Sequence, residues 1–246
     1  MIPLALIIGS EYRFGKSIAL ELIRHGFAVC LHYNHPNEIA EPTAAYLQTQ
    51  GGEIYSMFKD LRKSKNVEDL FYQVSKLPNP LRVLVISIGE SPHVDLEKLS
   101  VEEWDTTFAL NLRTPWLCVR AAAKLMEPEG GAIINMGDSG VTKSFMEYPT
   151  YVISAAGLDA FTKIAARHFA PRIRINTVLS GLIRQSENDT LPEDWGITAD
   201  RLPLKTVGNI EDVTSVVIFF IQNSFVTGSV ITVDGGFNLG SQVFVR

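Results

Sequence analysis

The opening of the chain, residues 2–22, IPLALIIGSEYRFGKSIALEL, constrains its fold more than any other stretch. Residues 4–8 are an unbroken apolar run, the pattern of a strand covered on both faces in a parallel sheet. Gly9 and Gly15 bracket a short polar turn, and from Phe14 onward the apolar positions Phe14, Ile18 and Leu22 recur at helical spacing. Strand, glycine turn and helix together open a dinucleotide-binding βαβ unit. Glycine lets backbone approach a pyrophosphate, and the helix N-terminus offers it free N–H groups and a positive dipole end. The spacing is G-x-x-x-x-x-G rather than G-x-G-x-x-G, so on this stretch alone an ordinary tight turn stands beside cofactor binding.

The rest of the chain repeats the theme. Apolar runs at 28–33, 53–58, 82–88, 131–136, 174–179 and 229–233 read as strands, and they alternate with helical patterns at 37–49, 67–77, 101–126, 149–170 and 211–222. Strict β/α alternation with right-handed crossovers predicts one α/β domain over residues 1–246. Its architecture is a doubly wound Rossmann fold, a seven-stranded parallel sheet with helices on both faces. Ligands in such a sheet bind beyond the carboxyl ends of the strands.

Bulk properties exclude other classes. With 46% apolar and 20% charged residues, the chain has the makings of a folded protein with a sizeable core. A net charge of −5 argues against a nucleic-acid surface, which needs clustered Lys and Arg. Cys30 and Cys118 each sit inside apolar runs, where buried free thiols of a reducing compartment are expected. Pro3 and the lack of a basic leading segment point away from a signal peptide, and the apolar run 213–221 is too short for a bilayer. The expectation is a cytoplasmic protein with no membrane and no nucleic-acid partner.

Several residues fall where ligands would bind. After the second strand, Tyr33, Asn34 and His35 stand where an acid would accept the adenosine ribose hydroxyls of NAD, and no carboxylate follows until Glu38. That favours NADP(H) over NAD(H), with His35 and Arg13 as donors to a 2′-phosphate, unless these are plain loop residues. Asp60-Leu61, past the third strand, suits an adenine edge or an ordinary turn. Asn111 lies inside the long helical pattern, where Asn is a poor choice, and signals an irregularity or a polar role. Asp138 and Tyr151 can face one cleft, where a Tyr could give a proton to a carbonyl oxygen; packing is its other reading. The five histidines show no metal-site spacing.

Taken together, these features resemble the short-chain dehydrogenase/reductase family from Leu4 to Phe237. The likeness rests on the glycine turn, Asp60-Leu61, Asn111, IINM at 133–136, Tyr151-Val-Ile-Ser154, IRINTV at 173–178 and VTGSVITVDGGF at 226–237. Within the family the chain is most similar to pteridine reductases. The marks of that likeness are Arg13 at the middle-glycine position, AVCLHY at 28–33, Asp138 where most relatives have Ser, and Tyr148 three residues before Tyr151. The resemblance implies Asp138 and Tyr151 as a proton-delivery pair with Asn111 holding a water or a helix bulge behind them. It places a dinucleotide along Gly9, Ser10, Arg13, Phe14 and Gly15, past Tyr33, Asn34, His35, Asp60 and Leu61, and onward to Ser87, Gly89, Tyr151, Gly181 and Ile183. It also implies a small-molecule substrate and a homo-oligomer, a tetramer or dimer.

The chain departs from the family at telling places. Position 155 is Ala, so the Tyr-x-x-x-Lys pattern fails. N-N-A-G becomes Ile86-Ser87-Ile88-Gly89, Pro-Gly becomes Ser180-Gly181, and no aromatic residue appears in Glu90-Ser91-Pro92. A cation about 4 Å from a phenolate contributes on the order of 4 kcal/mol at an effective dielectric near 20. Without it a Tyr stays protonated at neutral pH, fit to act as an acid and not as a base. The expectation is therefore an NADP(H)-dependent reductase of a small carbonyl or pterin-like compound. A catalytically silent nucleotide-binding or regulatory homologue is the alternative, and a nucleotide-fold methyltransferase fits poorly. The polar segment 182–202, with Trp195, is placed either to close over substrate or to pack.

Overall fold

A computed structural model describes residues 1–11, 14–140, 146–184 and 199–239. Arg13, expected to face the dinucleotide, and Trp195, expected to close over substrate or to pack, lie outside the described residues. The strands are β1 (Leu4–Ile8), β2 (Ala28–Tyr33), β3 (Ile54–Phe58), β4 (Leu81–Ile86), β5 (Gly131–Asp138), β6 (Ile173–Ser180), β7 (Ile183–Arg184), β8 (Gly208–Asn209) and β9 (Val230–Val233). The helices are α1 (Gly15–Arg24), α2 (Ala40–Thr49), α3 (Ser64–Val74), α4 (Val101–Phe108), α5 (Thr114–Met126), α6 (Pro149–Phe169) and α7 (Ile210–Gln222).

Seven strands form one parallel sheet in the order β3-β2-β1-β4-β5-β6-β9, and β7 pairs with β8 apart from it. The fold class expected from the alternation is the one observed. Residue-by-residue alternation in β1 explains the layering. Leu4, Leu6 and Ile8 pack into one apolar cluster with Val67 and Leu70 of α3 and Cys118 and Ala122 of α5. Ala5 and Ile7 enter the opposite cluster with Ile18 and Leu22 of α1 and Val213 and Val217 of α7. A strand buried on both faces has no polar side, which is why its sequence is a continuous apolar run. The chain winds outward in both directions from the β1/β4 pair, and the crevice at that switch point is where ligands bind in such sheets. Both cysteines are buried free thiols, and burial pushes the Cys30 thiol up to about 12.

The stretch read as one long helix, 101–126, is broken by a π-helical turn at Ala109–Arg113. Pro115 lacks the N–H that the Asn111 carbonyl would accept in a regular α-helix. Thr114 Oγ1 donates to the Ala109 carbonyl at 2.9 Å and also lies 2.9 Å from the Leu61 carbonyl, which helps satisfy the widened turn. Asn111 sits in the middle of this turn, so the irregularity it signalled is real. α2 starts three residues later than expected because Asn37 Oδ1 accepts the N–H groups of Ile39 and Ala40, at 3.2 and 3.0 Å, ahead of the helix. α4 begins with a reciprocal cap between Ser100 and Glu103. No helix among the described residues is long and apolar enough to cross a membrane.

Candidate active site

The β1–α1 turn is folded tightly onto the sheet. Gly9 adopts a φ of +79°, which favours glycine, and a Cβ on Gly15 would lie 2.5 Å from the Ser10 carbonyl oxygen. The Ser10 hydroxyl donates to Ile7 O at 3.1 Å and its N–H to His32 O at 2.8 Å, so the serine is held inside the turn. His32, fully buried in β2, locks the turn from behind. Its Nδ1 accepts the Gly9 N–H at 3.3 Å while Nε2 faces the Lys59 carbonyl at 2.8 Å, an arrangement that suits the neutral Nε2–H tautomer. Desolvation pushes the His32 pKa down to about 4.

A cavity of about 290 Å³ opens at the carboxyl ends of β1, β4 and β5. Phe14, Ser87, Gly89, Asn111, Asp138 and Tyr151 all line it, together with Ala155 and Ser180. Residues drawn from six parts of the sequence thus meet in one place. Tyr151 stands in the first turn of α6, which Pro149 starts, and Ala155 follows one turn later on the same wall. Asp138, the last residue of β5, accepts the Gly140 N–H at 2.6 Å. The Ala155 methyl leaves the position one turn beyond Tyr151 without a cation.

Asn111 is fully engaged. Its Oδ1 accepts the Glu90 N–H at 2.9 Å, and its Nδ2 donates to the Glu90 carbonyl at 2.8 Å and to Ser154 Oγ at 3.1 Å. Ser154 Oγ in turn donates to the Tyr151 carbonyl at 2.9 Å. The π-helical turn therefore pins the loop after β4 on one side and the start of α6 on the other. Tyr148, the residue before α6, lies edge-on to His93 with ring centroids 5.3 Å apart.

Other expected cofactor residues are placed differently. Tyr33, Leu61 and Ile183 are core residues, because alternate side chains on both faces of this sheet and beneath its loops are interior. Their side chains cannot reach a ligand, and only their backbone can. The Tyr33 ring stacks on Phe58 at 5.6 Å, and burial, with the Glu11 charge second, pushes its phenol up to about 12. Asp60 behaves as a turn residue. Its carboxylate takes Arg62 Nε at 2.9 Å and the Arg62 N–H at 3.1 Å, and Arg62 holds it below the usual carboxylate range. His35 is exposed. Gly181 is packed so closely that a Cβ would lie 2.6 Å from Asp234 Cβ.

Glu11 is a residue of this corner that local sequence does not announce. No acid stands at the end of β2, yet a carboxylate arrives from the glycine turn, where Glu11 Oε1 accepts the Asn34 N–H at 2.9 Å. Glu11 Oε2 and Asn34 Oδ1 are buried with no hydrogen-bond partner among the described residues. The only signal available was an acidic letter inside G-S-E-Y-R-F-G. These orphaned acceptors, and the glycine cradle that a Cβ would fill, fit a dinucleotide lying across the switch point.

Comparison with known proteins agrees with the geometry. The profile described as enoyl-(acyl carrier protein) reductase matches residues 10–238. The chain is similar to the 3-oxoacyl-[acyl-carrier-protein] reductase FabG of Staphylococcus epidermidis, 28% identical over 94% of this chain and 97% of that protein. It is also similar to the 1-cyclohexenylcarbonyl-CoA reductase of Streptomyces collinus, 27% identical over 98% of this chain and 88% of that one. Among solved structures, the FolM alternative dihydrofolate reductase 1 of Brucella canis, complexed with NADP, superposes with a TM-score of 0.89 at 29% identity, covering 98% of this chain and 96% of that one. Sheet order, glycine turn, cavity and these relatives lead to one conclusion: the chain belongs to the short-chain dehydrogenase/reductase family and is an oxidoreductase of the NAD(P)-dependent type.

Proposed function

We propose that the chain reduces a small carbonyl or pterin-like compound by hydride transfer, with Tyr151 as the proton donor and Asp138 beside it. The observation that carries this reading is the convergence of Tyr151, Asp138 and Asn111 on the cavity that also takes in Ser87 and Gly89 at the switch point. When bound, a nicotinamide dinucleotide supplies the hydride. The chain's own contribution is to hold the phosphates over the Gly9–Gly15 backbone, to fix the α6 wall through Asn111 and Ser154, and to deliver a proton from the Tyr151 hydroxyl. Asp138 keeps one oxygen on the Gly140 N–H, which orients the carboxylate at the end of β5. The Brucella FolM complex supports use of NADP(H). The dihydrofolate reductase name of that Brucella protein also supports a pterin-like substrate, and the FabG and cyclohexenylcarbonyl-CoA reductases support carbonyl or activated alkene substrates.

Ala155 favours a second reading, a nucleotide-binding homologue that has lost turnover, because the wall beside Tyr151 has no cation at that position. Dinucleotide consumption across a panel of dihydropterins, diketones, quinones and enoyl thioesters separates the two. Turnover abolished by Tyr151→Phe supports the reductase; binding without turnover on every compound supports the silent homologue. Assembly into a homo-oligomer is supported by the apolar side chains that α5 and α6 leave on one surface, Trp116 at 44% and Ile164 at 68% exposure.

A further inference from the structure

We infer that the substrate carries an ammonium group at its far end, held in a second cavity between the loop after β4 and α4. The inference rests on the reductase reading above and names one part of its substrate. The second cavity, of about 550 Å³, is walled by Glu90, Ser91 and Pro92 of that loop and by the first two turns of α4, from Glu102 to Thr107. Glu90 and Ser91 also line the first cavity, so the two meet at these residues. The described lining of both holds carboxylates and no Lys, Arg or His, so an anionic group would meet only like charge there.

Charge and an orphaned hydroxyl identify the guest. Between Glu90 and Asp105 the sequence places six carboxylates against the single Lys98, so this stretch accounts for the whole net charge of −5. Lys98 is paired with Asp95, and Glu103 is committed to the α4 cap, where it accepts the Ser100 N–H at 2.9 Å. Glu90 and Glu102 make no side-chain hydrogen bond or ion pair among the described residues and remain for a ligand. Thr107 lines the same cavity, fully buried, and its Oγ1 has no hydrogen-bond partner among the described residues. A buried polar group in that state costs free energy that a ligand can restore. An ammonium brings three donors and no acceptor, enough for two carboxylates and the Thr107 oxygen. Among the described residues no group of three His, Cys, Asp or Glu side chains is arranged to hold a metal ion, so these carboxylates suit a larger organic cation.

Calorimetric titration of the intact chain, saturated with NADPH, with acetophenones bearing a para aminoethyl, hydroxyethyl or carboxyethyl arm tests this. The aminoethyl compound should bind at least about tenfold tighter than the hydroxyethyl one, with the carboxyethyl compound weakest, and added salt should narrow the gap. Glu90→Gln and Glu102→Gln should each cut the aminoethyl preference by about threefold or more. Thr107→Val keeps the volume but removes the oxygen, and should weaken the aminoethyl compound alone by about threefold. Glu97→Gln removes a charge of the same stretch outside the cavity lining, and should leave the preference within about a factor of two. Glu102 is exposed at the start of α4, so its variant keeps the test open should Glu90→Gln fail to fold. Equal binding of all three compounds would overturn the inference while leaving the reductase reading in place, and so would a preference that survives both glutamate substitutions. Binding of none of them would overturn it together with the substrate reading.

Discussion

The imidazole of His32 accepts the backbone N–H of Gly9 at 3.3 Å, which ties the glycine turn to the buried middle of the sheet. The same ring reaches the Lys59 carbonyl at the end of β3, so one neutral side chain braces three neighbouring strands where the dinucleotide would lie.

That brace makes stability depend on pH. The unfolded chain takes up a proton on His32 as pH falls through 6.5, while burial holds the folded ring neutral down to about 4. Protons therefore favour the unfolded chain across this window. The stability is complete above pH 6.5 and is lost progressively as pH falls toward 4, by about 3 kcal/mol in all. Urea denaturation should show about 2 kcal/mol less stability at pH 5 than at pH 7, a difference that shrinks in His32→Gln. Asp60, whose carboxyl Arg62 holds low, acts in the same direction but only in more acid solution. Equal stability at pH 5 and pH 7 would contradict this assignment.

Tyr151→Phe should lower kcat by about 10²- to 10⁴-fold, the usual range for loss of a positioned acid. The dinucleotide dissociation constant should stay within about a factor of two, because the hydroxyl is assigned to the proton and not to nucleotide binding. Steady-state kinetics and titration on the same preparation check both parts. A large rise in that constant with kcat unchanged would move Tyr151 from chemistry to binding.

Ala155→Lys should raise turnover with a generic carbonyl substrate by at least about tenfold, since a cation one turn from Tyr151 stabilises the phenolate left after proton transfer. Wild type, lacking that cation, should reduce a ketone faster than it oxidises the matching alcohol at saturating dinucleotide and neutral pH. A variant that folds, binds dinucleotide as wild type does and gains nothing would show that Ala155 does not limit the reaction.

Asn111→Ala should cost about 2–4 kcal/mol, because it strips partners from the Glu90 backbone and from Ser154 inside the fold. Thermal or urea unfolding measures this. The same change frees the loop after β4, so KM for the carbonyl substrate should rise as well. A stability unchanged from wild type would mean that water replaces the amide without penalty.

The sheet was legible because β1, β2, β4 and β5 are buried on both faces, and full burial leaves a continuous apolar run in the sequence. Tyr151, Asp138 and Asn111 were legible as a group because strand ends and helix starts in a doubly wound sheet converge on one edge. β7 and β8 were not, since two residues each carry no periodicity. Tyr33, Leu61 and Ile183 point their side chains into the core, as a residue next to a ligand loop can, and this orientation was not legible from their positions in the sequence. Glu11 escaped notice for the opposite reason: its contact with Asn34 joins positions 23 apart, and nothing local in the sequence announces it.

A crystal structure of the chain grown with excess dinucleotide tests the proposed reduction most directly. The phosphates should lie over the backbone between Gly9 and Gly15, with the nicotinamide ring in the cavity beside Tyr151 and Ala155. A crevice filled by the protein's own side chains, with no nucleotide in it, would contradict the proposed reduction and leave only the fold.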